Sequence, residues 1–273
     1  MPQQLIPETT GSLSRDTKFS NAALANVIVG QTDAALKDNL TASGLARSIH
    51  GNQTIFIGTR QVTSNNQNPF AISFVDDTIA WYVSDYETGG PDGRGIGLVW
   101  DGGDDFYAAF SVDGGGSGLE TLASNGWMRS YGSGGGPKVT VLARLDAATG
   151  LQDAGLNGQG TFVSSVLSNG RTNSFVPTEL GLDASGDVIL NANSWFAPRG
   201  INRQAMAEVD SSSGSPFEYS IVFDADLGAA QGAAAAAAAA ATTTTTTAMT
   251  TATTTTTNNT TPATVMTTTP TTT

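Results

Sequence analysis

Between residues 45 and 223 the chain is interrupted about every ten residues by clusters of Gly, Asn, Asp and Ser, and each interval holds one short apolar run. Within that span no run keeps a three-to-four-residue period long enough to make a sizeable helix. What is left is a succession of strands joined by turns. The runs are 45–49, 54–62, 70–75, 78–84, 96–100, 106–112, 138–145, 161–167, 175–182, 188–196, 204–209 and 217–223. Alternation is clean in several of them. In Val139-Thr140-Val141-Leu142-Ala143-Arg144-Leu145 the odd positions are apolar. Glycines in the intervening turns, as in Ser168-Asn169-Gly170 and Ala184-Ser185-Gly186, supply positive φ at little cost.

This spacing predicts an all-β fold, a two-sheet antiparallel sandwich or jelly roll. A β-propeller-like fold is the alternative, because Lys138–Gly150 and Arg203–Ser215 read as loosely similar strand-and-turn blocks. That pair of blocks resembles strand pairs of secreted bacterial propeller-type repeats. Ahead of the strands, Asp33–Ala42 predicts one helix: Thr32 or Asp33 can cap its start, Leu36 and Leu40 share a face, and Gly44 can end it.

Net charge is −12, and every charged residue precedes position 229. An acidic chain with only 12 Lys and Arg lacks the clustered cations that bind nucleic acid or an anionic membrane. It has no cysteine, so disulfides, thiol chemistry and cysteine-based metal sites are excluded. No apolar run is long enough to span a membrane as a helix. The first residues, Met1-Pro2-Gln3-Gln4-Leu5-Ile6-Pro7, do not read as a signal peptide. The chain is then cytoplasmic or a mature secreted form, and the Gly-, Asn- and Thr-rich composition favours the extracellular, cell-surface reading.

Three regions follow. Residues 1–30 read as an N-terminal arm, 31–228 as the all-β domain and 229–273 as a non-globular Ala/Thr-rich tail. Within the arm, Asn21 to Gly30 is uncharged and apolar on both alternating faces, as a strand buried on two sides would be. It is either the first core strand of its own domain or a strand given to a neighbour. In the second case Leu24, Val27, Ile28 and Val29 are the assembly residues. The tail has threonine clusters with scattered proline, the composition of an O-glycosylated, mucin-like segment. Its acceptors would be Thr242, Thr243, Thr244, Thr245, Thr246 and Thr247, then Thr253, Thr254, Thr255, Thr256 and Thr257. A plain linker, or a run of placeholder residues, is the other reading.

Candidate chemistry is sparse. His50 is the sole histidine and lies in a turn with no nucleophile motif nearby. Asp101-Gly102-Gly103-Asp104-Asp105 supplies carboxylates and loop carbonyls of the kind calcium takes, so Asp101, Asp104 and Asp105 form a candidate Ca²⁺ site, with Asp85, Asp92 and Asp113 in neighbouring loops. No other cofactor is expected. Glu120, Glu179 and Glu208 are the distant carboxylates a glycoside hydrolase would have to bring together. The loop at 132–138 lacks the ending of a phosphate loop. Trp81, Tyr82, Trp100, Trp127 and Trp195 could build a sugar-stacking platform.

Taken together, arm, β-domain and Thr-rich end resemble the donor-strand filament and surface-layer subunits of bacteria. The resemblance is one of architecture and implies a non-enzymatic subunit that polymerises with itself and carries covalent glycan. The segment 13–30 is then the intersubunit strand. A carbohydrate-binding or adhesin module on a mucin-like stalk, and a glycoside hydrolase, are the alternatives.

Overall fold

In a computed structural model the described residues are 8–14, 18–20, 32–84, 86–87, 92–114, 117–133, 138–153, 159–206 and 215–237. They begin with three very short strands, β1 (Thr9–Thr10), β2 (Ser12–Leu13) and β3 (Lys18–Ser20). Helix α1 (Asp33–Ala42) follows, capped by Thr32, whose hydroxyl accepts the Ala35 N–H at 3.3 Å. Gly44 closes it with φ +71°.

Next come β4 (Ala46–His50), β5 (Gln53–Thr63), β6 (Asn66–Val75) and β7 (Thr78–Val83). The second group is β8 (Gly93–Val99), β9 (Asp105–Asp113), the short helix α2 (Ser117–Leu122), β10 (Lys138–Asp146) and β11 (Gly160–Val163). The third holds β12 (Ser165–Val166), β13 (Thr172–Asn173), β14 (Phe175–Leu182), β15 (Val188–Ser194), β16 (Ala197–Pro198), β17 (Phe217–Phe223) and β18 (Ala230–Ala237).

The fold is an all-β sandwich of antiparallel sheets, none closed into a barrel. The described residues form four sheets where two were expected, because each group of strands forms its own meander. The first sheet is β4 to β7, with β3 beside β5. The second is β11-β10-β9-β8-β2 and the third β1-β14-β15-β17-β18, while β13-β12-β16 is a small fourth. Among the described strands only β3 pairs in parallel. The second sheet lies between the others: β8 packs on β4, β5 and β6, and β8 and β10 pack on β14. That is why Phe106–Phe110 and Val139–Ala143 are buried on both faces.

Period two decides which core each side chain joins. On β5, Ile55 and Ile57 enter the main core while Phe56 turns to the opposite face. There Phe56, Phe70, Ile72 and Phe74 meet Leu36 and Leu40 of α1, the pair whose spacing marked the helix. Where β8 passes β5, glycine is required: a Cβ on Gly95 would stand 2.5 Å from the Gly58 carbonyl oxygen.

The two propeller-like blocks differ where both are described. The first is β10 and its turn. In the second, residues 204–206 of the expected strand at 204–209 lie in a tight loop with one bridge, Arg199 to Ala205, and 207–214 lies outside the described residues. The chain divides into a unit over 1–238 and another over 239–273, and all described residues belong to the first. Among them, no helix is long and apolar enough to cross a membrane.

Candidate assembly surfaces

Two arginines sit among the acidic loops that the sequence marks for calcium. Arg144 Nε and Nη2 donate to Asp105 Oδ2 at 2.9 and 2.5 Å, and Nη1 donates to Asp226 Oδ1 at 2.7 Å. Burial alone would lower the Arg144 pKa, but the hydrogen bond to Asp105 and the charges of Asp105, Tyr107 and Asp226 together outweigh it, and the pKa is raised. Asp101 Oδ1 instead accepts the Gly103 N–H at 2.9 Å. Asp101, Asp104 and Asp105 are thus not gathered as a ligand set, and among the described residues no three acidic or imidazole groups are placed to hold a metal. Arg94 plays the same part next door, reaching Asp92 at 3.1 Å, Asp113 at 3.2 Å and Gln67 at 2.7 Å. Asp85 lies outside the described residues.

The other chemistry-bearing residues have structural work. His50 packs edge-on against Trp100, ring centroids 5.1 Å apart, and a Cβ on Gly102 (φ +92°) would overlap its imidazole. Trp100 Nε1 donates to the Gly103 carbonyl, Trp81 Nε1 to Ala147 and Trp127 Nε1 to Ile201. Three of the proposed platform's tryptophans are therefore fixed in or against the core, and Trp195 is the exposed one at 46%. Glu179 accepts from Asn191 Nδ2 at 2.7 Å and Glu120 sits on α2, while Glu208 lies outside the described residues.

The N-terminal segment is more than an arm. Thr9 and Thr10 pair with Leu182 and Gly181 of β14, Ser12 and Leu13 with Leu98 and Gly97 of β8, and Lys18 to Ser20 with Thr59 to Gln61 of β5. One short segment therefore adds an edge strand to each of three sheets. Gly11 threads between two of them, where a Cβ would stand 2.7 Å from both the Leu180 and Leu98 carbonyl oxygens. The Ser14 hydroxyl donates to the Ile57 carbonyl at 3.1 Å and accepts the Ala46 N–H at 2.9 Å, while Ser12 Oγ accepts the Arg47 N–H at 3.1 Å. The Phe19 ring meets Phe70 edge-on at 6.3 Å. Of the expected intersubunit stretch 13–30, Leu13 and residues 18–20 thus pair within their own chain. Leu24, Val27, Ile28 and Val29 lie outside the described residues, as do Thr242–Thr247 and Thr253–Thr257.

At the other end, the tail boundary moves. Residues 230–237, assigned by composition to the non-globular tail, form β18 and pair with β17 from Phe223↔Ala230 to Phe217↔Ala237. Alanine has weak strand preference; the open ladder of β17 supplies what the sequence does not. Beside β18 lies a recess of about 490 Å³ lined by Ile201, Asn202, Ala205, Met206, Gly232 and Ala233. Its outer wall is the 198–206 loop, pinned by Tyr219 Oη donating to the Arg199 carbonyl (2.7 Å), Trp127 Nε1 to Ile201 (2.9 Å) and Met206 N–H to Pro198 (3.0 Å). Ile201 is 53% exposed on that wall. No signal in the sequence marked this surface, because its parts lie some thirty residues apart and the strand carries no pattern.

No protein-family model matches this sequence. None of the curated proteins matches it either.

Proposed function

We propose that this chain is a structural subunit of an extracellular filament or surface assembly, polymerising by exchange of its N-terminal strands and coated by glycan on its Thr-rich end. The observation that carries the reading is the clasp of residues 8–20, whose three short strands complete an edge in each of three sheets. Residues 21–31, between Ser20 and the cap of α1, span up to about 36 Å when extended. That reach lets the same strands fill the same grooves on the next copy, a head-to-tail contact that does not close on itself. Leu24, Val27, Ile28 and Val29 would then lie between subunits, which accounts for their apolar, uncharged character. The threonine hydroxyls of the tail offer O-glycan acceptors. An acidic body keeps free subunits apart in solution until the specific contact forms.

Electron microscopy of the purified chain tests the reading. Regular fibrils are expected. Dispersed particles with the 27.9 kDa mass of one chain, at every concentration, would overturn it.

A further inference from the structure

The outer edge of β18 ends its sheet among the described residues, so its outward N–H and C=O groups have no neighbouring strand there. Edge strands in soluble proteins are blunted by Lys, Pro, inward charge or a covering segment. The sequence Ala230-Gln231-Gly232 followed by Ala233 to Ala237 carries no Lys, Pro or charge, and the one bulge, at Gln231, leaves Gly232 to Ala237 in continuous register. A Cβ on Gly232 would meet nothing within 4 Å.

The other edges are guarded. β11 is buried at all four of its positions. On β7 the Ile79 N–H is taken by Asp33 Oδ2 at 2.9 Å, and the turn before it carries Asp76 and Asp77 bound to Lys37. At β4, Ser14 and Ser12 take the Ala46 and Arg47 N–H groups. The remaining edges belong to strands of two or three residues.

We infer that β18 is a docking seam for a second copy of this chain, whose own β18 pairs with it antiparallel across a twofold axis. A strand must fill a strand edge, and between two chains of net charge −12 that strand must be uncharged. Among the described edges of the partner, β18 meets both demands. Antiparallel self-pairing sets Ala or Gly opposite Ala or Gly over most of the strand, with no like charges facing. The twofold stands perpendicular to the sheet, so both 198–206 loops lie on one face and flank the junction. The exposed Ile201 of each copy then covers the partner's alanines. The seam does not depend on exchange of the N-terminal strands. If both contacts form, it joins two rows of subunits side by side.

The absence of native cysteine makes the test clean. Single cysteines are placed in turn at Ala233, Ala234, Ala235 and Ala236, and one at Ser185 in an exposed turn as control. A chain with one cysteine forms at most a disulfide dimer, whatever else it assembles into. At least one seam position is expected to give a dimer band on a non-reducing gel, with none from Ser185→Cys. Adding Ile201→Asp to that chain should lower the cross-linked fraction about tenfold, because closure would bury a carboxylate against alanine, whereas Ile49→Asp on β4 should not. Absence of a dimer at all four seam positions, or equal cross-linking at Ser185, overturns the seam. So does a dimer that ignores Ile201→Asp while the variant keeps its circular dichroism. Should Ile201→Asp fail to fold, the cysteine series decides alone.

Discussion

The chain's two terminal edge elements solve one problem in opposite ways. Residues 8–14 and 18–20 add seven paired residues to three sheets; residues 230–237 add one longer strand, bulged only at Gln231, to a single sheet. The first is held by particular shapes and groups: Gly11 wedged between two carbonyl oxygens, Ser12 and Ser14 bonding across to β4 and β5, and the Phe19 ring on Phe70. The second is held by the β17 ladder with side chains that are almost all methyl groups. A strand too short to have a period can still be specified point by point. A strand with no side-chain information can still be placed, but only by an edge that wants it, and its free side stays equally unselective.

Breaking the clasp should therefore have the largest effect. Gly11→Val forces a side chain onto the Leu180 and Leu98 carbonyls and should cost about 3 kcal/mol, lowering the thermal midpoint by roughly 6–12 °C in a domain of this size.

The C-terminal sheet should yield to alkali. Tyr107 Oη donates to the Ala225 carbonyl and Tyr219 Oη to Arg199, on the two sides of β17, while Tyr86 Oη donates to Gly150. Burial pushes the Tyr107 pKa from 10.0 up to about 12, partly offset by nearby Arg144, and raises Tyr86 and Tyr219 as well. Between 10 and about 12 the folded chain keeps the Tyr107 proton that the unfolded chain has lost. Stability is thus fully present below 10 and falls as pH rises through that window. Phenolate absorbance should show these tyrosines ionising together with unfolding, not before it.

Ser14→Ala leaves the Ala46 N–H and the Ile57 carbonyl without their partner and should cost about 1–2 kcal/mol by denaturant unfolding. Ala234→Gly in β18 should cost the least, about 0.5–1 kcal/mol, the entropy of a glycine in a strand. A loss at Ala234 as large as that at Gly11 would erase the contrast between the two ends.

The same contrast explains what could be read from the sequence. The twelve apolar runs are legible because alternation and turn chemistry are local; eleven of them map onto strands β4 to β12, β14, β15 and β17, within a few residues. Helix α1 is legible because cap, apolar pair and terminal glycine all lie within thirteen residues. β1 to β3 are illegible because their specification lies in the sheets they join. β18 is illegible because its alanines say nothing about partners. At the start of the run 204–209, residues 204–206 form a loop because Arg203 adopts φ +67° and the loop answers to Trp127 and Tyr219. The ion pair at Asp105 is illegible because of distance along the chain: Arg144, which engages it, is 39 residues away.

Strand exchange is tested most directly by a cysteine pair at Thr10 and Gly181, directly opposite each other on β1 and β14. The Thr10→Cys/Gly181→Cys chain is assembled under reducing conditions, oxidised and run on a non-reducing denaturing gel. If the N-terminal strands pass between subunits, the disulfides join neighbours and the gel shows a ladder of covalent multimers. A single band at one chain's mass, from material that is assembled, would mean that the clasp closes on its own chain, and would contradict the account.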